Sequence, residues 1–128
     1  MPSTSDAPPL SAFTIVKNAT VQEYPVEVCL RSALRVADDV VVNVGESEDD
    51  TLERVRSLDD SRIRVLERRW PDEFGTRLQE LSDETNAALD ACSHDWALYL
   101  QADEALHEDD DPALRRALAR ADEDPRAE

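Results

Sequence analysis

Lysine is almost absent: Lys17 is the only one in 128 residues, and the rest of the basic side is arginine. Lys and Arg together number 14 against 30 Asp and Glu, which leaves a formal net charge of -16. So acidic a chain repels nucleic acid and anionic membrane surfaces, which argues against either as the main partner. Cysteine is also scarce. Cys29 and Cys92 lie far apart without metal-type spacing and read as reduced thiols packed in the interior. No run is long and apolar enough to span a membrane, and the N-terminus lacks the apolar core of a signal peptide. The cytoplasm is the default location. Tandem repeats are absent as well.

The remaining composition is that of a globular domain. Hydrophobic residues make up 41% of the chain, and their periodic placement separates it from disordered acidic segments. The length suffices for one domain with a real core. A dense acidic surface nearly free of lysine suits high salt, where counterions screen self-repulsion, and points to a halophilic source. Acidic pairs recur at Asp38-Asp39, Asp49-Asp50, Asp59-Asp60, Asp72-Glu73, Asp83-Glu84 and Asp109-Asp110-Asp111. A carboxylate pair by itself therefore carries no functional weight here.

The pattern along the chain predicts four strands and four helices. Residues 1–11 read as a disordered leader. Residues 13–17 form a short β-branched strand, and Pro25 opens a helix with Val26, Leu30, Ala33, Leu34 and Ala37 on one stripe. Residues 39–44 are valine-rich and contain Asn43, which reads as a buried strand. After Gly45, residues 47–50 supply N-caps for a helix that runs through Leu52, Val55 and Leu58. Residues 62–66 alternate as a third strand, and residues 68–76 read as a loop. The next helix puts Leu78, Leu81, Thr85, Ala88, Leu89 and Cys92 on one face. Residues 96–100 are the fourth strand, and Asp111-Pro112 starts a last helix carrying Leu114, Leu118 and Ala121. The domain spans residues 12–121, followed by a polar tail over 122–128. Strands alternating with helices imply a mainly parallel, Rossmann-like α/β sheet covered on both faces. Its ligand belongs at the carboxyl ends of the strands.

At one such end, residues 96–100 empty into Gln101, Ala102, Asp103 and Glu104. A carboxylate placed there can hold a hard divalent cation that bridges to phosphate oxygens. The segment resembles the degenerate form of the Asp-x-Asp motif of GT-A glycosyltransferases, with Gln101 for the first Asp and Asp103 for the second. Other pieces follow in order. Val16-Lys17-Asn18 is similar to the strand end that borders the nucleotide base in family-2 glycosyltransferases. Residues 43–51, Asn-Val-Gly-Glu-Ser-Glu-Asp-Asp-Thr, look like that family's Asp-x-Gly-Ser-x-Asp-x-Thr turn with one residue more. Residues 85–89 resemble the helix whose Asn lies near the nucleotide. The resemblance spans about residues 12–108.

The resemblance implies a GT-A, family-2-like donor half that binds a nucleotide-diphosphate sugar for transfer to an unidentified acceptor. It implies nucleotide contacts from Lys17, Asn18, Asn43, Asn86, Gln101, Ala102 and Asp103, and a Mn²⁺ or Mg²⁺ ion on Asp103 with Glu104 beside it. Asn43 stands where the family usually has a base-reading Asp, and Gln101 removes one charge from the metal site. The family's acceptor half, with the catalytic base, follows the Asp-x-Asp strand. Here one helix and a polar tail follow residue 108, so a nucleotide-binding half is the expectation and no catalytic base is assigned. His94 reads as a loop residue and His107 as a surface or capping residue. Arg68 and Arg69 read as ion-pair partners, and Trp70 and Trp96 as packing. A catalytically incomplete nucleotide-binding or interaction module is the alternative. A phosphorylatable receiver domain, which needs an acidic pair after the first strand and a late lysine, does not fit. The unfinished sheet is expected to leave an edge or apolar face that favours self-association. The acidic surface predicts a melting temperature that rises from dilute buffer to molar salt; a melting curve that does not move contradicts the halophilic reading.

Overall fold

The computed structural model describes residues 8–70 and 78–124. In chain order the elements are β1 (Leu10–Val16), α1 (Val26–Val36), β2 (Asp39–Gly45), α2 (Thr51–Arg56), β3 (Ile63–Arg68), α3 (Leu78–Asp90), β4 (Trp96–Tyr99) and α4 (Asp111–Glu123). Every strand pair is parallel, and the sheet order is β3-β2-β1-β4. The architecture is α/β, a four-stranded parallel sheet flanked by helices. Residues 10 and 11, expected in the leader, belong to β1; residues 1–7 of that expected segment lie outside the described residues. The expected loop over 68–76 also falls mostly outside them, and Arg68 ends β3 instead. Helix α4 runs past residue 121 into the predicted tail, of which residues 125–128 lie outside the description.

The β2 sequence explains its central place. All seven of its residues are buried, as a parallel strand covered on both faces requires. Val40, Val42 and Val44 join Ala12, Val16, Val26, Leu30 and Val55 on the α1–α2 side. Val41 joins Phe13, Ile15, Trp70 and Ala88 on the α3 side. Each fully buried valine contributes about 1.5–3 kcal/mol relative to exposure. Helix α1 buries Val26, Cys29, Leu30, Ala33 and Val36, close to its predicted stripe. Helix α3 buries Ala88 as predicted but departs from the pattern elsewhere: Glu84 is buried, while Leu89 is 42% exposed. The polar Glu84 can face the sheet because Asn43 and Arg68 satisfy it there.

Two polar locks hold the ends of the sheet. At its amino end, Asp39 accepts hydrogen bonds from Ser11 Oγ, Ser93 N and Arg64 Nε and Nη2, at 2.9 to 3.0 Å. Burial pushes the Asp39 carboxyl up, but Arg64, the Ser93 amide and the Ser11 hydroxyl together bring it down to about 2. At the carboxyl end, Asp49 joins the loop after β1 to the loop after β2. Its Oδ2 accepts from Thr20 N and Val21 N, both at 3.0 Å, and its Oδ1 accepts from Thr51 N and the Thr51 hydroxyl. Residues 47–50 thus cross-link two loops more than they cap α2, whose N-cap residue Asp50 makes no side-chain cap bond. Asn18 completes the joint. It sits at φ 53, a left-handed conformation that Asn tolerates, with Asn18 N donating to Ser47 Oγ and its Oδ1 accepting from Glu48 N.

No helix among the described residues is long and apolar enough to cross a membrane. The exposed large apolar side chains Val21, Val28, Leu89 and Tyr99 sit on four separate elements or loops. Because the folded Asp39 carboxyl lies below its ordinary 3.8, its contribution is complete above that pH and fades as pH falls toward 2. Asp39→Asn is expected to cost about 1–2 kcal/mol at pH 7 by denaturant melts and to flatten the loss of stability below pH 4. A variant with wild-type acid sensitivity contradicts this lock. Asp49→Ala is expected to cost about 1–3 kcal/mol and to abolish hydrogen-exchange protection at Thr20 and Val21. Protection that survives the substitution shows that the loops are held otherwise.

Candidate functional site

Strand β1 pairs with β2 from Ser11↔Asp39 to Val16↔Val44, but with β4 only from Leu10↔Trp96 to Phe13↔Tyr99. Leu100 N still donates to Phe13 O, and beyond that rung the two strands part. Three residues of β1 therefore run on beside an open gap, about 10 Å long at the usual rise of a strand. The gap lies where the connections reverse. From β1 the chain steps outward through α1 and α2 on one face; it then returns through α3 on the other face to place β4 on the far side of β1. A ligand crevice at such a switch point is a consequence of the topology.

The gap is a cleft of about 500 Å³. Lys17, Asn18, Gln101, Ala102 and Asp103 all line it, so five positions predicted from the sequence converge. Ile15, Val16, Gln22, Tyr24, Trp70 and Tyr99 complete the wall. Residues 101–104 form a tight turn in which Glu104 N donates to Gln101 O at 2.8 Å. The turn aims Asp103 outward and buries Ala102 at 6% exposure. The Cys29 thiol supports it from behind, 3.4 Å from Gln101 O. Burial pushes that thiol up to about 12, with the Glu104 and Asp103 charges adding to the effect, so it is an inert packing group.

Three predicted positions stand elsewhere. Asn43 is fully buried: its Nδ2 donates to Glu84 O and Oε1 at 2.9 and 3.0 Å, and its Oδ1 accepts from Trp70 Nε1 at 3.1 Å. With its amide spent inside the protein, it is turned away from the cleft. Asn86 is an exposed residue of α3 that does not line the cleft. Glu104 bends back to accept Gln101 N at 2.8 Å and is not among the lining residues either.

The electrostatics of the cleft are simple. Lys17 makes no ion pair among the described residues, whereas Arg68 is bound to Glu84 and Arg69 lies 3.7 Å from Glu46. Asp103 provides the opposing charge. Among the described residues no cluster of three or more His, Cys, Asp or Glu side chains is set to hold a metal ion. The donor set therefore fits Mg²⁺ or Mn²⁺ only in the mode where one or two carboxylates share the ion with water and substrate phosphates. The aromatic wall, which the sequence reading missed, has a specific arrangement. Tyr99 stacks on Phe13 with ring centroids 5.1 Å apart. Burial raises the Tyr99 hydroxyl, against the Thr85 side chain and together with the Glu104 and Asp103 charges, which keeps it neutral. The alternation of β4 is the signal that points to Tyr99, since it continues the face that carries Ala97.

No family model and no curated protein matches the chain. Among solved structures, the crystal structure of S. aureus TarS matches with a TM-score of 0.65 at 22% identity, over 90% of this chain and 20% of that one. TarS is a glycosyltransferase. The chain thus spans about one fifth of the length of TarS, and what the two share is the fold, a Rossmann-like parallel α/β sheet flanked by helices.

Proposed function

We propose that the chain is the donor half of a GT-A, family-2-like glycosyltransferase and that the switch-point cleft takes a nucleotide-diphosphate sugar. The observation that carries this reading is the convergence of Lys17, Asn18, Gln101, Ala102 and Asp103 on one cleft in a glycosyltransferase-like fold. Charge balance favours a cation in the complex. A chain of formal charge -16 repels a diphosphate, and Lys17 alone does not offset that. Asp103 would hold a Mn²⁺ or Mg²⁺ ion shared with the diphosphate and with water, while Glu104 fixes the turn that carries it. When bound, the ion supplies charge neutralisation of the leaving nucleotide diphosphate. Lys17 contributes a point charge to a phosphate oxygen from the β1 side. The Gln101–Glu104 turn fixes the direction of Asp103, and Tyr24, Trp70 and Tyr99 exclude water along the wall.

The second reading, a nucleotide-binding or interaction module without turnover, is favoured by the inventory of carboxylates. Among the described residues, Asp103 is the only one that lines the cleft, and it is committed to the donor side. No base for an acceptor hydroxyl is assigned.

Titration calorimetry in high salt separates these ideas. UDP and UDP-sugars are expected to bind in Mn²⁺ and not in chelator. Asp103→Ala is expected to abolish the metal-dependent part, and Lys17→Met to weaken binding about tenfold while the metal requirement persists. Binding indifferent to Mn²⁺ and to Asp103→Ala contradicts the donor-site reading. Release of free sugar from a bound UDP-sugar favours the transferase, and binding without release favours the module.

A further inference from the structure

We propose that Asn43 and Glu84 are positioning residues, a buried lock that fixes Trp70 as a wall of the cleft although neither residue touches the cleft. Asn43 is 0% exposed, Glu84 4% and Trp70 5%, yet of the three only Trp70 lines the cleft. The indole N–H can only donate, so it must face Asn43 Oδ1, as it does at 3.1 Å. That choice orients the amide. Its Nδ2 then meets Glu84 O at 2.9 Å and Glu84 Oε1 at 3.0 Å, and Arg68 Nε closes the network on Glu84 Oε1 at 2.6 Å. The four residues come from β2, β3, the segment after β3, and α3, so the lock ties three elements to one indole.

The neighbouring backbone is built around the same ring. A Cβ on Gly45 would stand 2.7 Å from Trp70 Cδ2, 2.9 Å from Cε2 and 3.1 Å from Lys17 Cβ. The indole and the stem of Lys17, the only lysine of the chain, thus both close on the space over Gly45. An amide at position 43 is obligatory for this geometry. An aspartate there has no N–H for Glu84 and would set two carboxylates against each other in a buried place, whereas a leucine of similar size leaves the indole N–H without its acceptor.

The affinity part of this inference rests on the donor-site reading, and the placement of Trp70 does not. The test uses a Trp96→Phe background, in which Trp70 is the sole tryptophan. In the absence of ligand, Asn43→Asp and Asn43→Leu are expected to shift the Trp70 emission to the red and to raise its quenching by acrylamide. Adding Glu84→Gln to Asn43→Asp returns a donor to the pair and is expected to reverse both changes. UDP binding in Mn²⁺ is expected to weaken about tenfold in Asn43→Asp and to recover in the double variant. Unchanged emission and quenching in a folded Asn43→Asp or Asn43→Leu chain overturn the lock. If Asn43→Asp does not fold, Asn43→Leu decides by itself. A parent chain that binds no UDP contradicts the donor-site reading, and the fluorescence comparison then decides the lock alone.

Discussion

Strand β1 is hydrogen-bonded along both edges from residue 11 to residue 13, and along one edge only from residue 14 to residue 16. The cleft, its lining and the charges at its mouth all follow from that mismatch. If β4 continued beside β1 for three more residues, the ladder would occupy the space that Lys17, Tyr99 and Gln101 now border. The strand stops because the chain turns at residues 101–104, where Glu104 closes on Gln101 through both its backbone N–H and its carboxylate. Ala102, small and apolar, tucks that turn into the core and leaves Asp103 outside. A short edge strand ending in a self-capped turn is thus the device that opens the site.

Around this opening the protein spends its polar groups on rigidity. Asp39 fastens the amino end of the sheet, Asp49 and Asn18 fasten two loops at the carboxyl end, and Asn43 with Glu84 fastens the wall from beneath. Most of these carboxylates are stabilised by backbone N–H groups or by arginine, which suits a chain whose acids would otherwise repel one another. The exception is the pair that faces the cleft. Lys17 and Asp103 have no ion-pair partner among the described residues, so they keep their charge available for a ligand.

The sequence made legible whatever depends on local pattern. Residues 39–44 read as a doubly buried strand because valine fills both faces, and the stripe of α1 falls at helical spacing. The alternation of strands and helices carries the parallel topology, and with it the ends that meet at the cleft. What was not legible depends on partners far along the chain. Asn43 reads as a ligand contact until Trp70 and Glu84 arrive from 27 and 41 residues away to consume its amide. Helix α3 presents Glu84 rather than Leu89 to the sheet for the same reason, since a polar side chain with buried partners outcompetes periodicity. Asp49 reads as a helix cap because its partners Thr20 and Val21 belong to another loop.

The central claim is that the switch-point cleft holds a nucleotide diphosphate together with a divalent cation. With 30 acidic residues on the chain, Mn²⁺ has many weak places to bind, so location matters more than affinity. The most direct measurement is the paramagnetic broadening of backbone amide signals by substoichiometric Mn²⁺, recorded with and without UDP in high salt. The account predicts that UDP concentrates the broadening on residues 17–18 and 101–104. Broadening that stays spread over the acidic surface, or gathers at another strand end when UDP is added, would contradict it.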